Sequence, residues 1–246
     1  MMLDIAKVTD SNQPMKGAHL LWLEAPKIAK EAKPGQFVMV RCGENDEHPL
    51  RRPLSIHQRK GNGIALLFNI VGGGTQWLSQ CKSGEKLDLL GPLGNGFKVD
   101  PGSKLLLVAG GIGIAPLRFL ADEAIKQGLS VTLLYGMANA AQLYPHLPKV
   151  NLAATNTEDG SIGEKGMITN ILPDFINYAD QLFACGPMPM YRTMAKMPEL
   201  KDKSTQISLE VRMGCGLGVC YGCTVKTRQG LKQVCKDGPV FELNDI

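Results

Sequence analysis

Four of the seven cysteines in this 246-residue chain fall at a spacing that can do redox chemistry. Cys215, Cys220 and Cys223 stand at C-x4-C-x2-C in the run Met213-Gly-Cys-Gly-Leu-Gly-Val-Cys-Tyr-Gly-Cys-Thr224, and Cys235 follows after eleven residues. Thiolates at that spacing ligate the irons of a [2Fe–2S] cluster. Glycine reaches left-handed backbone angles, so Gly214, Gly216, Gly218 and Gly222 let a loop wrap a cluster and turn N–H groups toward its sulfurs. A structural zinc site also uses four cysteines, but usually as two short pairs, and three within nine residues fit that pattern poorly. A disulfide framework fits less well still: the count is odd and the chain is far longer than a stapled miniprotein. Such a cluster carries single electrons, which predicts an electron-transfer protein.

Other residues could serve such a carrier. Gly110-Gly-Ile-Gly-Ile-Ala-Pro116 is a glycine-rich turn between an apolar run and a helical segment. Glycines there admit a pyrophosphate to the backbone, and the helix start supplies N–H groups. A plain strand-to-helix turn would leave the same trace, since Pro116 stands near where the last glycine of a full fingerprint falls. Arg52-Pro-Leu-Ser55 offers a guanidinium that can grip a phosphate through two parallel bonds and a hydroxyl that can meet a flavin edge. In Gly73-Gly-Thr75 the threonine could cap a short helix over Gln76–Gln80. A surface arginine and an ordinary cap are the plainer readings of these two. Cys185-Gly-Pro-Met188 follows an apolar run, where a cysteine could lie beside a nicotinamide or be an inert buried thiol. Cys42 and Cys81 read as inert, Met188 and Met190 as core, and His19, His48, His57 and His146 have no ligand spacing.

The elements that must position these groups change character along the chain. Up to about Phe97, short runs at Ala18–Glu24, Gln36–Arg41, Ser55–Gln58 and Ile64–Ile70 alternate with Gly, Pro, Asn and Asp, with turns at Pro34-Gly35 and Gly61-Asn62-Gly63. That pattern predicts an antiparallel β-barrel, ended by the breakers of Gly91–Phe97. Beyond it, strands at Lys104–Ala109, Ser130–Tyr135, Leu152–Asn156 and Gln181–Cys185 alternate with helical segments to Gln127, near Met167–Leu172 and at Met188–Lys196. Strand–helix alternation predicts a doubly wound parallel sheet. Ser204–Glu210 reads as a last strand feeding the cysteine loop. The chain is thus expected to be a multidomain β + α/β protein, with a barrel at 1–98, an α/β domain at 99–210 and a cluster segment at 211–246.

Composition bounds the alternatives. A net charge of +4, from 27 basic and 23 acidic residues spread along the chain, gives no nucleic-acid footprint. The start, Met-Met-Leu-Asp-Ile-Ala-Lys-Val, lacks the pattern of a signal peptide, and no apolar run reaches the length of a membrane span. These features predict a cytoplasmic protein with no membrane partner.

Taken in order, Arg-Pro-Leu-Ser, Gly-Gly-Thr, Gly-Gly-Ile-Gly-Ile-Ala-Pro-Leu, Cys-Gly-Pro-Met and the cysteine loop resemble the ferredoxin-reductase superfamily with an added [2Fe–2S] segment. More narrowly, the chain resembles the electron-transfer subunits of two-subunit, NAD-linked dihydroorotate dehydrogenases of pyrimidine biosynthesis. Thr157-Glu-Asp-Gly-Ser161 and Val234-Cys-Lys-Asp-Gly-Pro-Val-Phe241 share in the likeness, which covers essentially the whole chain. The resemblance implies FAD bound by Arg52, Pro53, Leu54, Ser55, Asn69, Ile70, Val71, Gly74 and Thr75. It implies a dinucleotide phosphate site shaped by Gly111, Gly113 and Pro116, and a nicotinamide flanked by Cys185 and Gly186. It implies a [2Fe–2S] cluster on Cys215, Cys220, Cys223 and Cys235, and an FMN-binding catalytic partner in a heterotetramer. Two departures stand out: Leu54 replaces an aromatic residue frequent in the superfamily, and the gap before Cys235 is short. After the strand at Ser130–Tyr135, Gly136–Leu143 contains no basic residue to hold a 2′-phosphate, which favours NAD over NADP. The implied task is a relay from dihydroorotate through cluster and FAD to NAD⁺, with no side-chain acid or base required here. The rivals are the same module in a ferredoxin-linked transhydrogenase or a sulfur- or hydrogen-metabolising complex, and a redox-sensing binding protein.

Overall fold

The computed structural model describes residues 2–43 and 48–246. Strands β1 (Met2–Met15), β2 (Ala18–Glu24), β3 (Phe37–Val40), β4 (Arg52–Lys60), β5 (Gly63–Asn69) and β6 (Lys86–Leu93) close an antiparallel barrel in the order β1-β2-β5-β4-β3-β6. Helices α1 (Pro26–Glu31) and α2 (Gly73–Ser79) lie in its connections. Alternation explains the closure: in β1, Ala6 and Val8 enter the core while Leu3, Ile5 and Lys7 face outward. The β4–β5 connection is two residues long, and Gly61 adopts φ 54° there, as so tight a hairpin demands.

Two barrel strands differ from expectation. β1 was not among the predicted strands because Asp4, Lys7, Thr9 and Asp10 interrupt its apolar pattern, and only every second side chain is buried. β6 was not among the predicted strands either, and it continues through Gly91 and Pro92, which the sequence marks as breakers. A register shift against β3 falls just there, and it absorbs the residue that cannot donate to the ladder.

The second layer begins with β7 (Leu105–Gly110), α3 (Ile114–Lys126), β8 (Val131–Met137), β9 (Leu152–Thr157) and β10 (Glu164–Lys165). It continues with α4 (Ile168–Ile171), α5 (Pro173–Ile176), β11 (Gln181–Cys185), α6 (Met188–Met194) and β12 (Thr205–Ser208). The strands run parallel in the order β10-β9-β8-β7-β11-β12. β7 and β11 are buried almost throughout because helices cover both faces. Leu105, Leu107 and Phe183 meet α3 on one face, while Leu106, Val108 and Leu182 meet α4, α5 and α6 on the other. The C-terminal segment forms a hairpin, β13 (Thr224–Thr227) with β14 (Gly230–Gln233), then α7 (Val234–Asp237). Its last strand, β15 (Val240–Glu242), pairs antiparallel with β12 and so becomes the edge of the parallel sheet.

Barrel and sheet are joined by α3 against β4. His57 on β4 is fully buried and donates from Nδ1 to the Ala115 carbonyl at 2.9 Å, which leaves Nε2 to accept from the Tyr144 hydroxyl at 3.0 Å. Burial drives the imidazole pKa down to about 3, so this bridge is neutral. Gln58 to Asp122 and Arg59 to Glu123, both at 2.8 Å, flank it. The sequence had given His57 no role.

Candidate functional site

The cysteine loop seats on the barrel. Gly216 and Gly218 take φ of 72° and 77°, and a Cβ on Gly216 would lie 2.6 Å from Met39 Cγ. Only glycine allows both the turn and that approach. The four cysteines group as two pairs, Cys215 beside Cys220 and Cys223 beside Cys235. Backbone N–H groups aim at the sulfurs: Leu217 at Cys215 (3.3 Å), Gly218 at Cys235 (3.2 Å) and Cys235 at Cys223 (3.4 Å). Among the described residues no three candidate ligands converge as a single metal ion would require. Four cysteines with amide donors at their sulfurs suit the two irons of a [2Fe–2S] cluster. Burial opposes ionisation of Cys215, but the N–H groups of Leu217, Val219 and Cys220 outweigh it and bring the thiol down to about 6. Burial and the neighbouring Cys223 push Cys235 up to about 12, so loading metal must displace protons. Leu217, Val219 and Tyr221 do not pack beneath the loop; they are 41%, 71% and 70% exposed around it.

A cleft of about 420 Å³ runs between the barrel and the sheet beside this loop. Arg52, Pro53, Leu54, Ser55, Asn69, Val71 and Thr75 all line it, so the structure gathers these residues from β4, β5, α2 and the link between the last two. Val71 is 82% exposed there, an apolar wall open to an apolar ligand. Gly74 lies beneath the Arg52 guanidinium: a Cβ would sit 2.6 Å from Nε. Ile70 is not on the wall; its N–H is tied to the Gly17 carbonyl. Thr75 does not cap a helix at Gln76, because α2 already starts at Gly73. Its hydroxyl instead accepts from the N–H groups of Val71 and Gly72 and donates to the Gly72 carbonyl, fixing the wall. Leu54 packs chiefly into the barrel core.

A second cleft, of about 650 Å³, lies along the carboxyl ends of the parallel strands. The chain turns back between β7 and β11, where open α/β sheets bind ligands. Gly111, Gly113 and Gly186 line it. Gly111 has φ 55°, and a Cβ on Gly113 would lie 1.9 Å from the Cys185 carbonyl oxygen, so glycine is needed at both. Pro116 and Cys185 are buried behind the wall rather than on it. Cys185 is fully enclosed and its thiol pKa is raised well above normal by burial and then by Glu210. Met188, read from the sequence as core, lines the cleft and is 42% exposed.

The two clefts share Asn69, Ile112 and Glu210. Glu210 was not singled out in the sequence, and nothing local marks it beyond a lone acid at the end of β12. Its carboxylate lies 3.9 Å from Cys185 Sγ, and the enclosing protein raises its pKa. The Tyr191 hydroxyl accepts from Gly186 N–H (2.9 Å) and donates to the Ser208 carbonyl (2.7 Å), so α6 locks the ends of β11 and β12 together at this junction.

A closed barrel, a doubly wound sheet and a thiolate loop, with two clefts meeting at one point, define a flavin- and nicotinamide-linked reductase carrying an iron–sulfur centre. Comparison with known proteins narrows the class. Residues 210–246 match the family model described as the iron-sulfur cluster binding domain of dihydroorotate dehydrogenase B. The dihydroorotate dehydrogenase B (NAD(+)) electron transfer subunit of Desulforamulus reducens is 39% identical over 248 residues, covering 96% of this chain and 95% of its own. That of Clostridium acetobutylicum is 40% identical over 214 residues, covering 86% and 85%. The chain belongs to this family of electron transfer subunits. A solved NADH-dependent reduced ferredoxin-NADP oxidoreductase superposes with a TM-score of 0.86 at 27% identity, over 100% of this chain and 90% of that one. The ferredoxin reductase of carbazole 1,9a-dioxygenase, at TM-score 0.66 and 21% identity, covering 80% of this chain and 64% of its own, shares the fold.

Proposed function

We propose that this chain passes electrons from dihydroorotate oxidation in a catalytic partner subunit to NAD⁺, in pyrimidine biosynthesis. The observation that carries the reading is the meeting of the two clefts at Glu210, Asn69 and Ile112, with the cysteine loop seated against the same barrel. Dihydroorotate gives up two electrons and two protons in becoming orotate; NAD⁺ takes two electrons and one proton, and the other proton goes to water. When bound, the cluster supplies single-electron carriage and FAD supplies the conversion between single electrons and hydride.

The chain's own residues bind and orient. Cys215, Cys220, Cys223 and Cys235 hold the cluster, with N–H donors at their sulfurs. Arg52 over Gly74 meets the FAD phosphates. Pro53, Leu54, Ser55, Asn69, Val71 and Thr75 form the wall for the flavin, and Ile70 fixes the strand end behind it. Gly111 and Gly113 shape the dinucleotide phosphate turn, with Pro116 setting the helix behind it. Gly186 faces the nicotinamide, and Cys185 supports it from beneath. In these roles residues 1–98 carry FAD, 99–210 carry NAD and 211–246 carry the cluster. The exposed Leu217, Val219 and Tyr221 suit a docking surface for an FMN-binding catalytic subunit, in an assembly of two catalytic and two electron-transfer subunits. Among the described residues no helix is long and apolar enough to cross a membrane, and the near-balanced charge, 27 basic against 23 acidic residues, gives no nucleic-acid footprint; the setting we propose is cytoplasmic.

Anaerobic mixing of the holo-protein with NADH tests the reading. Rapid bleaching of the flavin is expected. A stable NADH complex with the flavin still oxidised would favour a sensor instead.

A further inference from the structure

The larger cleft has two ends, and the structure distinguishes them. Hydride transfer requires the nicotinamide to touch the flavin, so it must lie at the end shared with the FAD cleft, by Glu210. The glycine turn Gly110–Gly113 lies between that end and the far wall, which is built from the ends of β8 and β9. The adenosine of the dinucleotide therefore falls against Gly136, Met137 and Ala138. One charged side chain lines that far wall, Glu158, the residue that follows β9.

Glu158 is held in place from both sides. Its N–H donates to the Met137 carbonyl at 3.1 Å, extending the β8–β9 pairing past the last registered pair, Met137 with Thr157. The loop beyond it is closed by the fully buried Thr157, whose hydroxyl accepts from Ile162 N–H (3.1 Å) and donates to the Ile162 carbonyl (2.8 Å). Asp159 accepts from the Ser161 hydroxyl at 2.6 Å, and Ser161 Oγ in turn accepts from Ala140 N–H at 2.8 Å. The loop is thus stapled to the segment after β8. None of the ion pairs among the described residues engages Glu158. No lysine or arginine lines the cleft among the described residues.

We propose that Glu158 is the residue that selects NAD over NADP, by accepting a hydrogen bond from the adenosine 2′-hydroxyl and repelling a 2′-phosphate. The inference rests on the reading of this cleft as the dinucleotide site. A carboxylate accepts well from a ribose hydroxyl, and a phosphate brought to the same place meets like charge with no lysine or arginine on the cleft lining to offset it. The missing basic residue after β8 removes attraction for NADP; Glu158 adds a repulsive element, and selectivity draws on both.

Calorimetric titration of the FAD- and cluster-loaded protein with 5′-AMP and with 2′,5′-ADP reads the site without turnover. The parent is expected to bind 5′-AMP more tightly. Glu158→Gln should weaken 5′-AMP about tenfold, as loss of a charge-assisted bond does, and narrow the preference. Glu158→Lys should strengthen 2′,5′-ADP by about tenfold or more and raise the rate of flavin bleaching by NADPH relative to NADH. Retained FAD absorbance in both variants checks the fold. If the ratio of the two nucleotides is unchanged in both variants while NADH still bleaches the parent flavin, this inference fails alone. If NADH does not bleach the parent flavin, the dinucleotide reading fails and takes the inference with it.

Discussion

Substituting alanine for Gly113 should cost both stability and catalysis. The added Cβ would lie 1.9 Å from the Cys185 carbonyl oxygen and 2.4 Å from its carbon. These are backbone atoms at the end of a central strand, so no side chain can swing away. Ordinary contact lies about 1.5 Å further out, and the turn from β7 into α3 must retreat from β11 by about that much. Overpacking of this kind costs about 1–3 kcal/mol. At roughly 2–4 °C per kcal/mol for a chain of this size, the melting temperature should fall by about 2–12 °C. The displaced turn carries Ile112 and Gly111, which face the junction and the phosphate site, and misplacement by about 1 Å can cost about a hundredfold. Stopped-flow bleaching of the flavin by NADH should show about that loss in kcat/KM. Gly128→Ala at the far end of α3 is the calibrant: its φ is 77° with nothing near the added Cβ. It should lose about 1–2 kcal/mol of stability from left-handed strain and keep parental NADH kinetics. Parental kinetics in Gly113→Ala, or an equal rate loss in Gly128→Ala, would refute the argument from close approach.

Other perturbations separate the remaining parts. Cys220→Ser should abolish the visible and EPR signals of the cluster while FAD stays bound and NADH-to-dye activity remains near parental; joint loss of FAD would show that the two sites are not separable. Arg52→Ala should weaken FAD retention about tenfold or more in dialysis, given the guanidinium over Gly74, and FAD held as tightly as in the parent would remove Arg52 from the phosphate site. The pKa of His57 is lowered to about 3, so the unfolded chain takes up a proton that the folded one refuses between about pH 6.5 and 3. Its contribution is full above pH 6.5 and is lost as pH falls, with a slope of about 1.4 kcal/mol per unit from this one group. Urea midpoints of His57→Gln should fall less steeply with acid than those of the parent, and parallel curves would show that the bridge does not titrate.

Much of this arrangement was legible in the chain because the chemistry repeats at short range. The cysteine spacing places three of the four cysteines in one loop; of its four glycines only Gly216 and Gly218 take left-handed angles, and Tyr221, φ 58°, supplies a third that the sequence does not mark. β2 and β11 match their predicted bounds because each is built on a compact apolar run, Leu20–Leu23 and Leu182–Cys185. β1 escaped because one of its faces meets solvent and carries charge. Long-range consequences also escaped. Glu210 gains its position from where β12 ends relative to two clefts, and Glu158 from a pairing with β8 that no local pattern records. At Cys185 two readings stood open, and the structure shows a buried thiol: the motif marks the strand end, the side chain turns inward and Gly186 reaches the wall.

The central claim is that this chain completes an electron path from dihydroorotate to NAD⁺. An anaerobic pull-down from the native cell, followed by assay of the complex for dihydroorotate-dependent reduction of NAD⁺, tests it most directly. The account predicts an FMN-binding partner and NADH formation that is lost with Cys220→Ser. A complex formed with a different partner, giving no NADH from dihydroorotate, would contradict it.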